Sequence, residues 1–125
     1  MARSALVLFA HGSRDPDWAR PVRAIQQKVA ERSPELTVEV AFLELMSPSL
    51  IEAVNRLTVA GHDRVTIAPL FMAHGAHLKR DLATLMTEVG QRHRTIDLRL
   101  LPAAGEIDGV LEAIAAWLAG AAAAE

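Results

Sequence analysis

Four short apolar runs, each followed by a longer stretch of helical period, set the architecture of this 125-residue chain. The first run is Leu6-Val7-Leu8-Phe9-Ala10. Beyond it Trp18, Val22, Ile25 and Val29 recur every three or four residues, the spacing of one helix face. Asp15 before Pro16 marks that helix's start, a capping carboxylate followed by proline in the first turn, and the helix stops before Pro34. The second run, Thr37 to Leu45, alternates Val38, Val40 and Phe42 with Thr37 and Glu39. Ser49 and Glu52 then predict a capping box, with Leu50, Val54 and Leu57 as the buried stripe and Gly61 as the stop. The third run, Val65 to Phe71, leads to a helix from about His77 with Leu78, Leu82, Leu85 and Val89 inward. The fourth, Thr95 to Leu101, precedes a helix carrying Ile107, Val110, Leu111, Ile114, Trp117 and Leu118 that ends near Gly120. Residues 1–120 are expected to form one domain, and 121–125 a frayed tail.

Such βαβαβαβα alternation demands an α/β fold, a four-stranded parallel sheet with helices on both faces. Runs one and three are almost wholly apolar, as interior strands covered on both sides are. Runs two and four alternate, as edge strands do. With right-handed crossovers, the simplest strand order is 2-1-3-4. Its switch point lies between strands one and three, and ligands gather there beyond the strand carboxyl ends.

Composition narrows the function. Hydrophobic residues make up 51% of the chain and charged residues 22%, which excludes a disordered segment. A net charge of -2 provides no positive field for nucleic acid. With no cysteine there is no disulfide, thiolate metal site or cysteine nucleophile, in keeping with a reducing cytoplasm. The apolar run near the start is too short for a secretory signal or a membrane span. The expected location is therefore cytoplasmic, without membrane contact.

His11 follows the first strand directly, in Ala10-His11-Gly12-Ser13-Arg14-Asp15. Gly12 permits a sharp turn, and Ser13 with the next helix's free N–H groups suits an anion. An ordinary turn with a structural histidine is the competing reading. Glu44 ends the second strand among apolar neighbours and needs a cation, a proton or a partner; a nearby arginine is the plain alternative. His74 and His77 lie in the segment joining strand three to its helix. Asp81, one turn beyond His77, suits a carboxylate that orients the imidazole, or a simple surface pair. His62 and His93 are expected on the surface. Taken together, His11, Glu44 and His77 fall at the carboxyl ends of strands one, two and three. Two imidazoles and a carboxylate suit Co²⁺, Fe²⁺, Ni²⁺ or Zn²⁺ and leave coordination positions open, unlike a closed structural zinc site.

At these residues the chain resembles the small sirohydrochlorin chelatases, the class II tetrapyrrole chelatases of the CbiX and SirB type. The resemblance rests on His11-Gly12-Ser13-Arg14, on Glu44, and on Phe71-Met72-Ala73-His74-Gly75-Ala76-His77 with Asp81. It implies a chelatase-like, flavodoxin-like three-layer sandwich. The implied reaction is ATP-independent insertion of Co²⁺ or Fe²⁺, with Ni²⁺ a further choice, into sirohydrochlorin for cobalamin- or siroheme-type synthesis. His11 and His77 would bind the metal, and His11 would also accept a proton. Glu44 would position metal or macrocycle, and residues 72–76 (Met72, Ala73, His74, Gly75, Ala76) would line the tetrapyrrole. The metal is then a substrate, with no permanently bound cofactor. Longer relatives hold two such halves, so a chain with one implies a homodimer. The substrate is a polycarboxylate, for which Ser13, Arg14, Lys79, Arg80 and helix-start amides are the available contacts.

Other readings separate on sequence or assay. Histidine phosphatases also carry His-Gly after a first strand but place an arginine before the histidine, where this chain has Ala10. A response-regulator-like module would need an acidic residue at the end of strand one. A metal-binding carrier without chelatase activity would use the same ligands and would not exceed the spontaneous insertion rate.

Overall fold

The computed structural model describes residues 3–73 and 75–124. Strand β1 (Ser4–Ala10) pairs in parallel with β2 (Thr37–Phe42) on one side and β3 (Arg64–Pro69) on the other, and β3 pairs with β4 (Asp97–Leu100). The sheet order is 2-1-3-4, as the patterning predicted. Every residue of β1 from Val7 to Ala10 is buried, which is why this strand sits in the interior.

The two faces of β1 feed separate cores. Ala5, Val7 and Phe9 pack with Val65 and Ile67 against α2 (Leu50–Val59) and α3 (Ala76–Arg92). Leu8 and Ala10 pack with Val40 and Phe42 against Val22 of α1 (Arg20–Arg32) and Ala19 just before it. Each fully buried Val, Ile or Phe contributes about 1.5–3 kcal/mol of transfer free energy. Helix α2 begins as expected: Ser49 Oγ accepts from the Glu52 N–H and Glu52 Oε1 accepts from the Ser49 N–H at 2.9 Å. Those bonds hold the Glu52 carboxyl below its ordinary value.

Several elements depart from expectation. The stretch after Asp15 opens as a 3-10 turn, Pro16–Ala19, because Pro21 leaves the first α-helical turn to begin only at Arg20. Trp18 and Ile25 are consequently exposed, and Val22 alone is buried on α1. Strand β2 ends at Phe42, so Glu44 lies in a loop and is not in an apolar interior. His62 is buried, not superficial: its Nδ1–H donates to the Leu57 carbonyl (3.1 Å) while Nε2 accepts from the Thr37 hydroxyl (3.0 Å). This ties the end of α2 to the start of β2. His93 is half-buried and bonds Asn55 Oδ1 through Nε2 at 2.6 Å, joining the end of α3 to the middle of α2.

The largest departure is α4 (Asp108–Ala123). It runs past Gly120, since the alanines at 121–123 are the best helix formers. None of its residues is buried, so its apolar stripe does not pack on the sheet. Among the described residues, no helix is long and apolar enough to cross a membrane.

Candidate metal and tetrapyrrole site

The pairing of β1 with β2 continues one step past the strand ends. Leu43 N–H donates to Ala10 O at 2.9 Å and Glu44 N–H to His11 O at 3.1 Å. This brings two loop side chains together: His11 Nε2 and Glu44 Oε1 lie 2.9 Å apart. A carboxylate only accepts, so Nε2 carries the proton and Nδ1 holds the free lone pair. The pair is about half exposed, with side-chain accessibilities of 52% and 54%. Glu44 therefore takes the imidazole as its partner, not an arginine.

Gly12 makes this approach possible. It has φ of 104°, and a Cβ there would overlap the Glu44 carbonyl oxygen. Leu45 adopts φ of 67°, a left-handed conformation unfavourable for a branched residue, and turns the chain away immediately after Glu44. Its side chain is exposed.

The strand-three loop reaches the same corner. Leu70 N–H donates to Phe9 O at 2.8 Å, and the Phe71 ring meets His11 edge-on, with centroids 6.4 Å apart at 82°. Behind Phe71 the turn at Ala104–Glu106 closes on the loop: Gly105 N–H donates to Phe71 O at 3.0 Å. A Cβ on Gly105 would overlap the Met72 backbone. This brace was not legible beforehand, because a glycine in a connection announces a turn but not what the turn packs against.

The remaining predicted residues are distributed as follows. Ser13 is half-buried and its Oγ accepts from the Asp15 N–H at 3.1 Å, so it also shapes the turn. Arg14, Lys79 and Arg80 are exposed. Met72 and Ala73 are exposed on the loop, Gly75 is the N-cap of α3, and Ala76 opens the helix. His77 is exposed in the first turn of α3. His74 lies outside the described residues. Among the described residues, no three His, Asp or Glu side chains stand close enough to hold one ion. His11 and Glu44 are thus joined, and His77 is not gathered with them into a preformed three-donor site. Nor does Asp81 orient His77: it edges a shallow recess with Leu43, Thr84 and Leu85. Both groups face water, where an imidazole–carboxylate bond gains little.

A separate recess of about 410 Å³ lies at the opposite end of the sheet, bordered by Arg3, Thr37 and His62. Its histidine is satisfied by protein partners. The His11 corner, by contrast, is an open surface with apolar Trp18, Leu45 and Met72 exposed on the neighbouring segments.

Comparison with known proteins bears on the family and the fold. The chain is 42% identical over 82 residues to the sirohydrochlorin cobaltochelatase of Methanopyrus kandleri, covering 66% of this chain and 57% of that protein. It is 35% identical over 89 residues to the enzyme of the same name from Methanocaldococcus jannaschii, covering 71% and 62%. The match thus spans little more than half the length of these relatives. The crystal structure of a CbiX protein from Marinobacter aquaeolei superposes with a TM-score of 0.82 at 28% identity, covering 94% of this chain and 95% of that one. SirB from Bacillus subtilis subspecies spizizenii, solved in complex with cobalt, shares the fold at a TM-score of 0.79 and 20% identity, over 94% of this chain and 50% of that one. The CbiX family model matches residues 5–121, and the chain belongs to the CbiX family.

Proposed function

We propose that this chain is a sirohydrochlorin metal chelatase, inserting a divalent ion into the macrocycle without ATP. The His11–Glu44 pair, held at 2.9 Å beyond the carboxyl ends of β1 and β2 and next to the switch point between β1 and β3, carries the reading. The names of the relatives favour Co²⁺ and cobalamin-type synthesis; Fe²⁺ and Ni²⁺ ask for the same donors. The protein works as a cytoplasmic homodimer. The absence of thiols fits that compartment.

Insertion replaces two pyrrole N–H protons by the ion, so the site must surrender a metal and accept protons. His11 does both in order. Its Nδ1 lone pair and the His77 imidazole hold the arriving ion with two nitrogen donors, loosely enough for transfer to the four macrocycle nitrogens. As the ion passes to the macrocycle nitrogens, the freed lone pair accepts one of the two displaced pyrrole protons, and the second leaves directly to water at the open corner. The resulting imidazolium lies against the Glu44 carboxylate in a charge-assisted bond, and the half-exposed pair passes the proton to water. The open corner admits a broad flat ligand, with Met72 and Ala73 beneath it. Ser13, Arg14 and the free N–H groups at the start of α3 meet its carboxylates.

The test follows the absorption spectrum of sirohydrochlorin with Co²⁺, Fe²⁺ or Ni²⁺ and purified protein, in the absence of ATP. Insertion faster than the protein-free rate supports the chelatase, and the fastest ion identifies its metal. A rate equal to the spontaneous one, with the ion bound by the protein, makes the chain a metal carrier instead.

A further inference from the structure

Leu45 is the one residue other than glycine with a positive φ among the described residues. At φ of 67° the Cβ of a side chain is crowded, and a leucine gains no local hydrogen bond there as Asn or Asp does. Burial does not compensate, since Leu45 is 57% exposed. Its apolar neighbours behave differently: Leu43 packs against the core that holds Phe9, and Met46 against the one that holds Phe42. The turn is closed by the Phe42 N–H, which donates to Pro48 O at 2.8 Å. Glycine or asparagine would make the same turn with less strain, so the folded chain alone gives no reason for leucine at this position.

The place of the side chain supplies one. Leu45 follows Glu44 directly, so its Cα lies about 3.8 Å from that of the residue bonded to His11. A tetrapyrrole that takes an ion from the His11 imidazole must bring its ring nitrogens over that corner. The macrocycle is several times broader than one residue spacing, so it overruns the step from Glu44 to Leu45. The rim of this substrate carries carboxylates, which Glu44 repels, while its ring face is apolar. An exposed leucine beside that carboxylate suits the ring face.

We propose that Leu45 is a substrate-contact residue: its side chain, turned outward by the left-handed backbone, packs on the apolar ring face of the tetrapyrrole and excludes water beside the His11–Glu44 pair. The inference rests on the chelatase reading and deepens it by assigning a contact to the uncharged part of the substrate. Apolar surface that is bare in the free chain is removed from water in the complex, which is where the strained turn has its use.

Equilibrium titration of the full chain with metal-free sirohydrochlorin, followed by the absorption of the pigment, tests it. Leu45→Gly and Leu45→Asn keep the turn and remove the apolar side chain. Both should unfold at the same urea concentration as wild type or a higher one. Both should bind sirohydrochlorin about tenfold more weakly, the effect of losing the burial of one part-exposed leucine. Leu45→Met retains the apolar bulk and should restore most of the affinity. The ¹⁵N shifts of the His11 ring should be unchanged in all three, because the contact is with the substrate and not with the pair.

Wild-type affinity in Leu45→Gly and Leu45→Asn overturns the proposal. So does a clear loss of stability in both, which would mean that the folded chain itself uses the leucine. A loss of affinity accompanied by altered His11 shifts makes Leu45 a positioning residue instead, and one that follows dissociation of a dimer in sedimentation velocity makes it a subunit contact; either overturns the proposal. Insertion by wild type is read in the same preparations. Wild type that inserts metal while the variants bind normally leaves the chelatase reading standing, and wild type that neither binds nor inserts removes both.

Discussion

His11 Nε2 and Glu44 Oε1 are 2.9 Å apart although 33 residues separate them, because the β1–β2 backbone pairing runs on beyond both strands. The carboxylate fixes which ring nitrogen is bare and, in the proposed reaction, stabilises the imidazolium. Replacing Glu44 by Gln keeps an acceptor but removes the charge. Insertion should slow by about 10- to 100-fold, the range seen when a carboxylate behind a working histidine is lost. Initial rates from the sirohydrochlorin spectrum measure this, and an unchanged rate would give Glu44 a purely structural role.

Gly12→Ala should damage stability and activity together. The substitution meets a left-handed backbone and overlaps the Glu44 carbonyl oxygen, so the two loops must separate. Destabilisation beyond about 1 kcal/mol is expected, more than the entropic gain of replacing glycine elsewhere. Urea denaturation provides the number. A variant as stable as wild type would contradict the tight approach described here.

The capping box predicts a defined acid response. Bonds from the Ser49 backbone and hydroxyl hold the Glu52 carboxyl below its ordinary value of 4.5. A depressed folded-state pKa adds stability that is present above the unfolded value and is lost as pH falls through the folded one. Wild type should therefore exceed Glu52→Gln in Tm at neutral pH, and the gap should close below pH 4.5. A constant gap across that window would mean the charge plays no part.

Much of the topology was legible in the sequence because burial on two faces leaves its own signature. The unbroken apolar run 6–10 could only be interior, and the alternating run from Thr37 only an edge. The Ser49–Glu52 box was legible for a similar reason, being a local pattern with local partners. His11 and Glu44 were placed together by topology alone. Glu44's surroundings were misjudged, since the sequence does not show β2 stopping at Phe42. Asp81 failed as a partner for His77 because helical spacing permits a contact without making it worthwhile in water. The α4 stripe was read correctly as one apolar face, but periodicity does not say which surface receives it.

In the proposed reaction the imidazoles of His11 and His77 carry the transfer of metal into the macrocycle. The most direct test compares the initial rate of Co²⁺ insertion into sirohydrochlorin by wild type, His11→Ala and His77→Ala. Both substitutions fall on exposed positions, so circular dichroism should show intact folds. Each variant should lose at least about 100-fold, the lower bound for a positioned proton acceptor, and fall to the spontaneous rate. Near-wild-type insertion by either variant would contradict the proposed reaction.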